Sequence, residues 1–267
     1  VLKSKQNEVE RRLLEIGMLS PRVDAFLEDL QERRVLAQLF PEVQALVGFG
    51  GGDTGHKDLW GHTKQVVAQT IQQTNVRWAA LFHDVGKPQC FTRDPNGEIS
   101  FHMHEGVSAR LWKQAARRTA LFSPEEIANV HFLIYHLGHV EAYESSWTDS
   151  AVRRLRGEVG DHLEDLLALA RADITTKHSH KREAHHRRVK ELKDRVEALT
   201  KLDAIPPALP TGLGLLITAE FGIPPSRALG DIMNALKAEV EAGRLPRQAD
   251  PEMLLRHLRD NPDKLGI

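Results

Sequence analysis

Histidine and aspartate recur in this chain at places whose types and order suit a metal site. They are His62 in Gly61-His62-Thr63, the adjacent pair of His83-Asp84-Val85-Gly86-Lys87, His102-Met103-His104-Glu105, the run from Val130 to His136, and Asp173 after Arg171-Ala172. Imidazole nitrogen together with carboxylate oxygen suits borderline divalent metals, and mixed sites of this kind with open positions are hydrolytic in type. His62, His83, Asp84 and Asp173 are the expected ligands of a first metal. Neighbours on a helix point about 100° apart, so His83 and Asp84 share an ion only at a helix end facing a concavity. Gly86 is expected to supply that break. Asp173 follows apolar Leu166, Leu167, Leu169 and Ala170, where a carboxylate is costly to bury without a partner. A lone His62 would more often be a satisfied core or rim histidine, so the conjunction carries the inference.

His104 and His136 are expected either to hold a second metal or to be left for phosphate, with His102, His131 and His139 as rivals. Two ions would activate a water between them and clamp a phosphoryl group. With a single ion, His104 and His136 would contact phosphate or act as general acid. Lys87, three residues after Asp84, is placed to neutralise a phosphate oxygen. Arg153 and Arg154, on a helix entered through Trp147-Thr148-Asp149, are further substrate candidates, although an ordinary surface role competes for each. Residues 171–195 carry nine Lys/Arg against four Asp/Glu, a local +5 that suits an RNA backbone or simply a solvated helix face.

The elements that must position these residues read as helices almost throughout, an all-α bundle, because alternating β-branched runs are nearly absent. Val9, Leu13, Leu14 and Ile16 form one amphipathic stripe, and Val23, Phe26, Leu27 and Leu30 form the next, entered through Ser20-Pro21 as cap and first helical position. Phe49-Gly50-Gly51-Gly52-Asp53 is a loop. Helices are expected from about Leu59 to Thr74 and from Val76 to His83. One short hairpin is expected near 91–101, turning at Asp94-Pro95-Asn96-Gly97. Further helices start at about Glu105, at Ser123-Pro124-Glu125-Glu126 and at Asp149, and run from Asp161 to Thr175 and from Ala184 to Leu202. Ile205 to Pro210 is the expected linker. The chain thus divides into N-terminal helices over 1–48, a metal-binding domain over 49–204 and a small helical tail over 205–267.

A net charge of -1 over 267 residues gives no global pull towards nucleic acid or membrane. Cys90, the sole cysteine, rules out an internal disulfide and suits a reducing cytoplasm. No apolar run approaches the ~20 residues of a membrane span, and Val1-Leu2-Lys3-Ser4-Lys5 lacks the apolar core of a signal peptide.

The order His62, His83-Asp84, His104, His136, Asp173 is identified as that of HD-type metal-dependent phosphohydrolases. More specifically, three segments resemble the HD domain of bacterial CCA-adding tRNA nucleotidyltransferases: Lys57-Asp58-Leu59-Trp60-Gly61-His62-Thr63, His83-Asp84-Val85-Gly86-Lys87-Pro88, and His104-Glu105-Gly106-Val107-Ser108-Ala109. Thr148-Asp149-Ser150-Ala151-Val152-Arg153-Arg154 and Leu166 to Asp173 do so too. Ser20-Pro21-Arg22 and Leu39-Phe40-Pro41-Glu42-Val43 resemble that family's neck. Phe221-Gly222-Ile223-Pro224-Pro225, continuing to Gly243-Arg244-Leu245, resembles its tail. The family's nucleotide-binding glycine-serine motif and paired head carboxylates have no counterpart here, so CCA addition is not expected. The resemblance implies hydrolysis of 2′,3′-cyclic phosphates, 2′-nucleotides or phosphomonoesters through His62, His83, Asp84 and Asp173, and it matches the family's His-Glu pair to His104-Glu105 and its later helix histidine to His136.

The leading expectation is a phosphohydrolase or phosphodiesterase acting on nucleotides or RNA ends. One or two ions (Mn, Fe, Co, Ni or Zn, with Mg admissible) would activate water, while Lys87 or a free histidine steadies charge or protonates the leaving oxygen. One alternative is a non-catalytic tRNA- or RNA-binding scaffold that pairs with a separate nucleotidyltransferase. Another is a hydrolase of signalling nucleotides. Association into a homo-oligomer is compatible with each.

Overall fold

The structure, a computed structural model, describes residues 2–50 and 58–265. Gly51 to Asp53 of the expected loop, and Lys57 of the motif leading to His62, lie outside the described residues. The described chain is predominantly α-helical, with one two-stranded sheet. It divides into two compact units, Val1–Glu197 and Ala198–Ile267. No helix among the described residues is long and apolar enough to cross a membrane.

The larger unit begins with α1 (Leu2–Met18), α2 (Val23–Glu32), α3 (Val35–Leu39) and α4 (Pro41–Gln44). On α1, Val9, Leu13 and Ile16 of the expected stripe are exposed, and the buried face is Leu14, Gly17 and Met18. Gly17 decides this, because a Cβ there would stand 2.2 Å from the Phe26 ring of α2. Ser20-Pro21 does not cap α2. The Ser20 hydroxyl accepts from Arg22 N at 3.0 Å in a local turn, and the helix starts two residues after the proline.

α5 (Leu59–Gln69) and α6 (Thr74–Phe82) follow, then the single turn α7 (Lys87–Cys90). The hairpin is present: β1 (Thr92–Arg93) pairs antiparallel with β2 (Ile99–Ser100) around Gly97, whose φ of 87° suits glycine. The remaining helices of this unit are α8 (His104–Thr119), α9 (Pro124–Glu141), α10 (Asp149–Val159), α11 (Leu163–Ala172) and most of α12 (Ser179–Asp203). α9 is the central packing partner, against which α6, α8 and α11 all lie. Its start is a capping box, in which Ser123 accepts from Glu126 N and the Glu126 carboxylate accepts from Ser123 N. Phe40, Trp78, Phe82, Trp112 and Phe122 pack edge-on or tilted, with ring centroids as close as 4.8 Å, and this aromatic block seats the end of α6 that carries His83.

The smaller unit has its own core of Leu213 and Ile217 from α13 (Leu213–Phe221), Ile232, Leu236 and Val240 from α14 (Arg227–Glu241), and Leu254 and Leu258 from α15 (Pro251–Asp260). The proline-rich stretch from Ile205 to Pro210 packs within this unit instead of spanning free as a linker. The Gln248 amide donates to the carbonyls of Pro207 and Leu209 at 2.7 and 2.9 Å, Arg247 donates to Pro206 O, and Ala208 is buried.

Candidate metal centre

Three helix ends of the larger unit converge. Asp58 caps α5 by accepting from Gly61 N at 3.2 Å, and the first turn of that helix buries His62 beside Thr63 and Val66. α6 ends at Phe82, and His83 and Asp84 lead the chain into a tight turn with Lys87 N donating to Asp84 O at 3.0 Å. Asp173 ends α11, its backbone N–H tied to the carbonyls of Leu169 and Ala170.

Gly86 has an ordinary right-handed backbone and does not itself break the helix. Its smallness serves a close approach: a Cβ would lie 2.5 Å from His104 O and 2.8 Å from Ser108 N, both backbone atoms of α8. Gly86 N donates to Ser108 Oγ at 2.8 Å, which locks the turn against the start of α8. Met103, at a left-handed φ of 61°, turns the chain so that His104 opens α8 beside Asp84.

Within this junction His62 Nε2 lies 3.3 Å from His83 Nε2, 3.0 Å from Asp173 Oδ1 and 3.5 Å from Asp84 Oδ2. His83 Nε2 is 3.3 Å from Asp84 Oδ2 and 3.4 Å from Asp173 Oδ1. Each ring is oriented from behind: His62 Nδ1 is 2.9 Å from Thr175 Oγ1, and His83 Nδ1 donates to Ala80 O at 2.7 Å. That is how metal-bound imidazoles are held, with one nitrogen fixed by a hydrogen bond and the other presented.

Electrostatics make a cation at this point favourable. Burial disfavours the charged form of Asp84, yet His83, His104 and Lys87 outweigh it and hold the carboxyl well below the usual range. Asp173 is held down similarly, burial being outweighed by His83 and His62. Burial works against a charged His83, but Asp84 and Asp173 together hold its pKa well above the ordinary histidine value. For His62 burial prevails and its pKa falls.

The residues present fit a divalent ion. Asp84 Oδ1 and Asp173 Oδ1 are buried, and the polar atoms beside them are imidazole nitrogens, His104 Nε2 at 3.4 Å and His62 Nε2 at 3.0 Å, neither in hydrogen-bonding geometry. Ligand atoms about 2.0–2.2 Å from a metal lie about 3.0–3.5 Å from one another, which is the spacing among His62 Nε2, His83 Nε2 and Asp173 Oδ1 and from Asp84 Oδ2 to the two imidazoles.

Around the cluster, Lys87 Nζ lies 2.7 Å from Asp84 Oδ2, and His104 Nε2 lies 3.4 Å from Asp84 Oδ1. Glu105 Oε2 is 3.4 Å from His104 Nδ1, and this side chain reaches over Gly138 of α9. His136, on α9, is grouped with His139 and Glu158. Its Nδ1 is 3.4 Å from Glu158 Oε1 of α10 and 3.4 Å from His139 Nδ1. Arg153 is half-buried and Arg154 exposed on α10.

Glu141, at the end of α9, is a residue that the sequence reading passed over. It sits beside the cluster, where burial and the adjacent Asp173 carboxylate push its pKa well above the usual value. It continues the buried stripe Val130, Ile134, Leu137 at helical spacing, a signal that was available. Thr175 had no such signal, because it reaches His62 only through the chain's course after α11. A cavity of about 560 Å³ between α11 and α12, edged by Arg171, His186, Lys190 and Lys193, opens beside Gln69 and Ala172.

Fold and site together define an all-α protein with a buried cluster of two histidines and two aspartates. No family model matches the chain. It is similar to bacterial tRNA nucleotidyltransferases, and the likeness covers most of its length. It is 29% identical over 221 residues to the A-adding tRNA nucleotidyltransferase of Deinococcus radiodurans, covering 80% of this chain and 49% of that protein. It is 29% identical over 248 residues to the CC-adding tRNA nucleotidyltransferase of Thermus thermophilus, covering 91% of this chain and 54% of that protein. A shorter stretch of 133 residues is 33% identical to the Multifunctional CCA protein of Ectopseudomonas mendocina, covering 48% of this chain and 30% of that protein. The chain spans about half the length of the first two relatives.

Proposed function

We propose that this chain carries a divalent-metal phosphohydrolase or phosphodiesterase centre that acts on nucleotides or RNA ends. The observation that carries the reading is the convergence of Asp173 Oδ1 and Asp84 Oδ2 on two imidazoles whose far nitrogens are already engaged. An ion held by His62, His83, Asp84 and Asp173 would supply Lewis acidity and a water of lowered pKa. Lys87, with its ammonium on Asp84 Oδ2, the oxygen that also faces His62 and His83, is positioned to neutralise an incoming phosphate. His104, half-buried on the other oxygen of Asp84, is the group to protonate a leaving oxygen, and its Nδ1, donating to Phe101 O at 3.0 Å, fixes the ring. Arg153 and Arg154 would meet the substrate's more distant charge. The relatives' names, all tRNA nucleotidyltransferases or CCA proteins, favour tRNA as the RNA class.

One observation favours a second reading, an RNA-binding scaffold: Arg182, Arg187, Arg188 and Lys190 are all exposed along α12. Hydrolysis of 2′,3′-cyclic AMP by chelated protein resupplied with Mn, Co, Ni or Mg separates the two. Metal-dependent turnover that Asp84→Ala lacks is the expected result. Firm metal binding without hydrolysis of this ester or of simple phosphomonoesters would transfer the case to the scaffold.

A further inference from the structure

His136, set apart from the buried cluster, belongs to a group of its own. His136 and His139 stand three residues apart on α9, and Glu158 reaches them from α10. The two Nδ1 atoms are 3.4 Å apart, and Glu158 Oε1 lies 3.4 Å from the first and 2.8 Å from the second. Ligands about 2.0–2.1 Å from a tetrahedral ion are separated by about 3.3 Å, so a small movement of the Glu158 carboxylate away from His139 completes three corners of that figure.

We propose that His136, His139 and Glu158 form a second, solvent-facing site for a transition-metal dication. Two imidazoles and one carboxylate select zinc, cobalt, nickel or copper over magnesium or calcium, which prefer all-oxygen surroundings. The His139 side chain is 46% exposed and that of Glu158 is 40% exposed, so an ion enters without opening the core and keeps its remaining position for water or a solute ligand. The His136 ring is steadied against Phe132, with centroids 4.1 Å apart, and is therefore held before an ion arrives. Phe132 also carries the His162 ring at 4.5 Å, a third imidazole on the same side.

This site is distinct from the buried cluster. Glu141, which lies beside Asp173, is five residues past His136 on α9, about 140° around the helix. An ion at His136 and His139 ties α9 to α10, the helix that presents Arg153 and Arg154. The buried centre and the surface site thus share α9 as a common wall, one on each face.

Co(II) binding to the full chain, followed by absorption and by metal content after equilibrium dialysis at micromolar free ion, tests the proposal. The expected result is two ions on the natural protein and one on His139→Ala, with Glu158→Gln weakening the second ion at least tenfold. Both variants alter exposed side chains and keep the core intact. Asp84→Ala should lose the buried ion and keep the one that His139→Ala removes. Equal content and affinity in the natural protein, His139→Ala and Glu158→Gln would overturn the surface site. A single ion that survives Asp84→Ala but not His139→Ala would uphold it and count instead against the buried centre.

Discussion

Asp173 and Glu141 occupy matching positions, each at the end of an apolar helical stripe, yet their pKa values are shifted in opposite directions. Asp173 faces His62 and His83, which hold its pKa down, whereas burial and the facing Asp173 carboxylate push the pKa of Glu141 up. The charge at the centre is therefore set by neighbours rather than by residue type. Because the His83 pKa is raised in the metal-free protein, metal binding must displace its proton. Affinity should weaken as pH falls, and calorimetry in buffers of different ionisation enthalpy should record proton release. An apparent enthalpy that is the same in all buffers would contradict this. Gly86→Ala forces a methyl onto backbone atoms of α8, so a loss of roughly 1–3 kcal/mol is expected in urea unfolding. Weaker metal binding should accompany it, because the same turn carries Asp84. Unchanged stability would mean that α8 can retreat at no cost.

Local signals placed most elements well. Ser123-Pro124 opens α9, Thr148 caps α10 by accepting from Ala151 N, and Asp94 to Gly97 turns the hairpin. The misplacements have tertiary causes. α5 stops at Gln69, five residues before the expected end, where its amide donates to the carbonyls of Ala172 and Ile174 beyond α11. The turn between α1 and α2 is held from α6, because the buried Arg77 guanidinium donates to the carbonyls of Met18 and Ser20. Arg77→Met removes both donors and leaves those carbonyls in the interior, so destabilisation of roughly 2–4 kcal/mol is expected by chemical denaturation. A change below about 0.5 kcal/mol would show that water replaces the guanidinium.

At the scale of the molecule, the candidate metal centre and its supports belong to the larger unit, and the smaller unit has a separate core. Leu236→Ala, fully buried in the smaller core, should destabilise that unit by about 2–5 kcal/mol and leave Co(II) affinity at the buried cluster unchanged. Calorimetry with and without metal checks this, since a bound ion raises only the transition of the unit that holds it. A loss of metal affinity in Leu236→Ala would show that the two units are coupled.

The helical class, the hairpin and the grouping of His62, His83, Asp84 and Asp173 as a candidate cluster were legible in the sequence, because helical period, caps and costly buried carboxylates are properties of short segments. Tertiary structure alone decided that Gly86 makes room for α8, that Thr175 orients His62, that His136 turns to Glu158, and that Ile205 to Pro210 packs onto Gln248. Each depends on which face of one element meets another far along the chain, and a local pattern holds no record of that meeting.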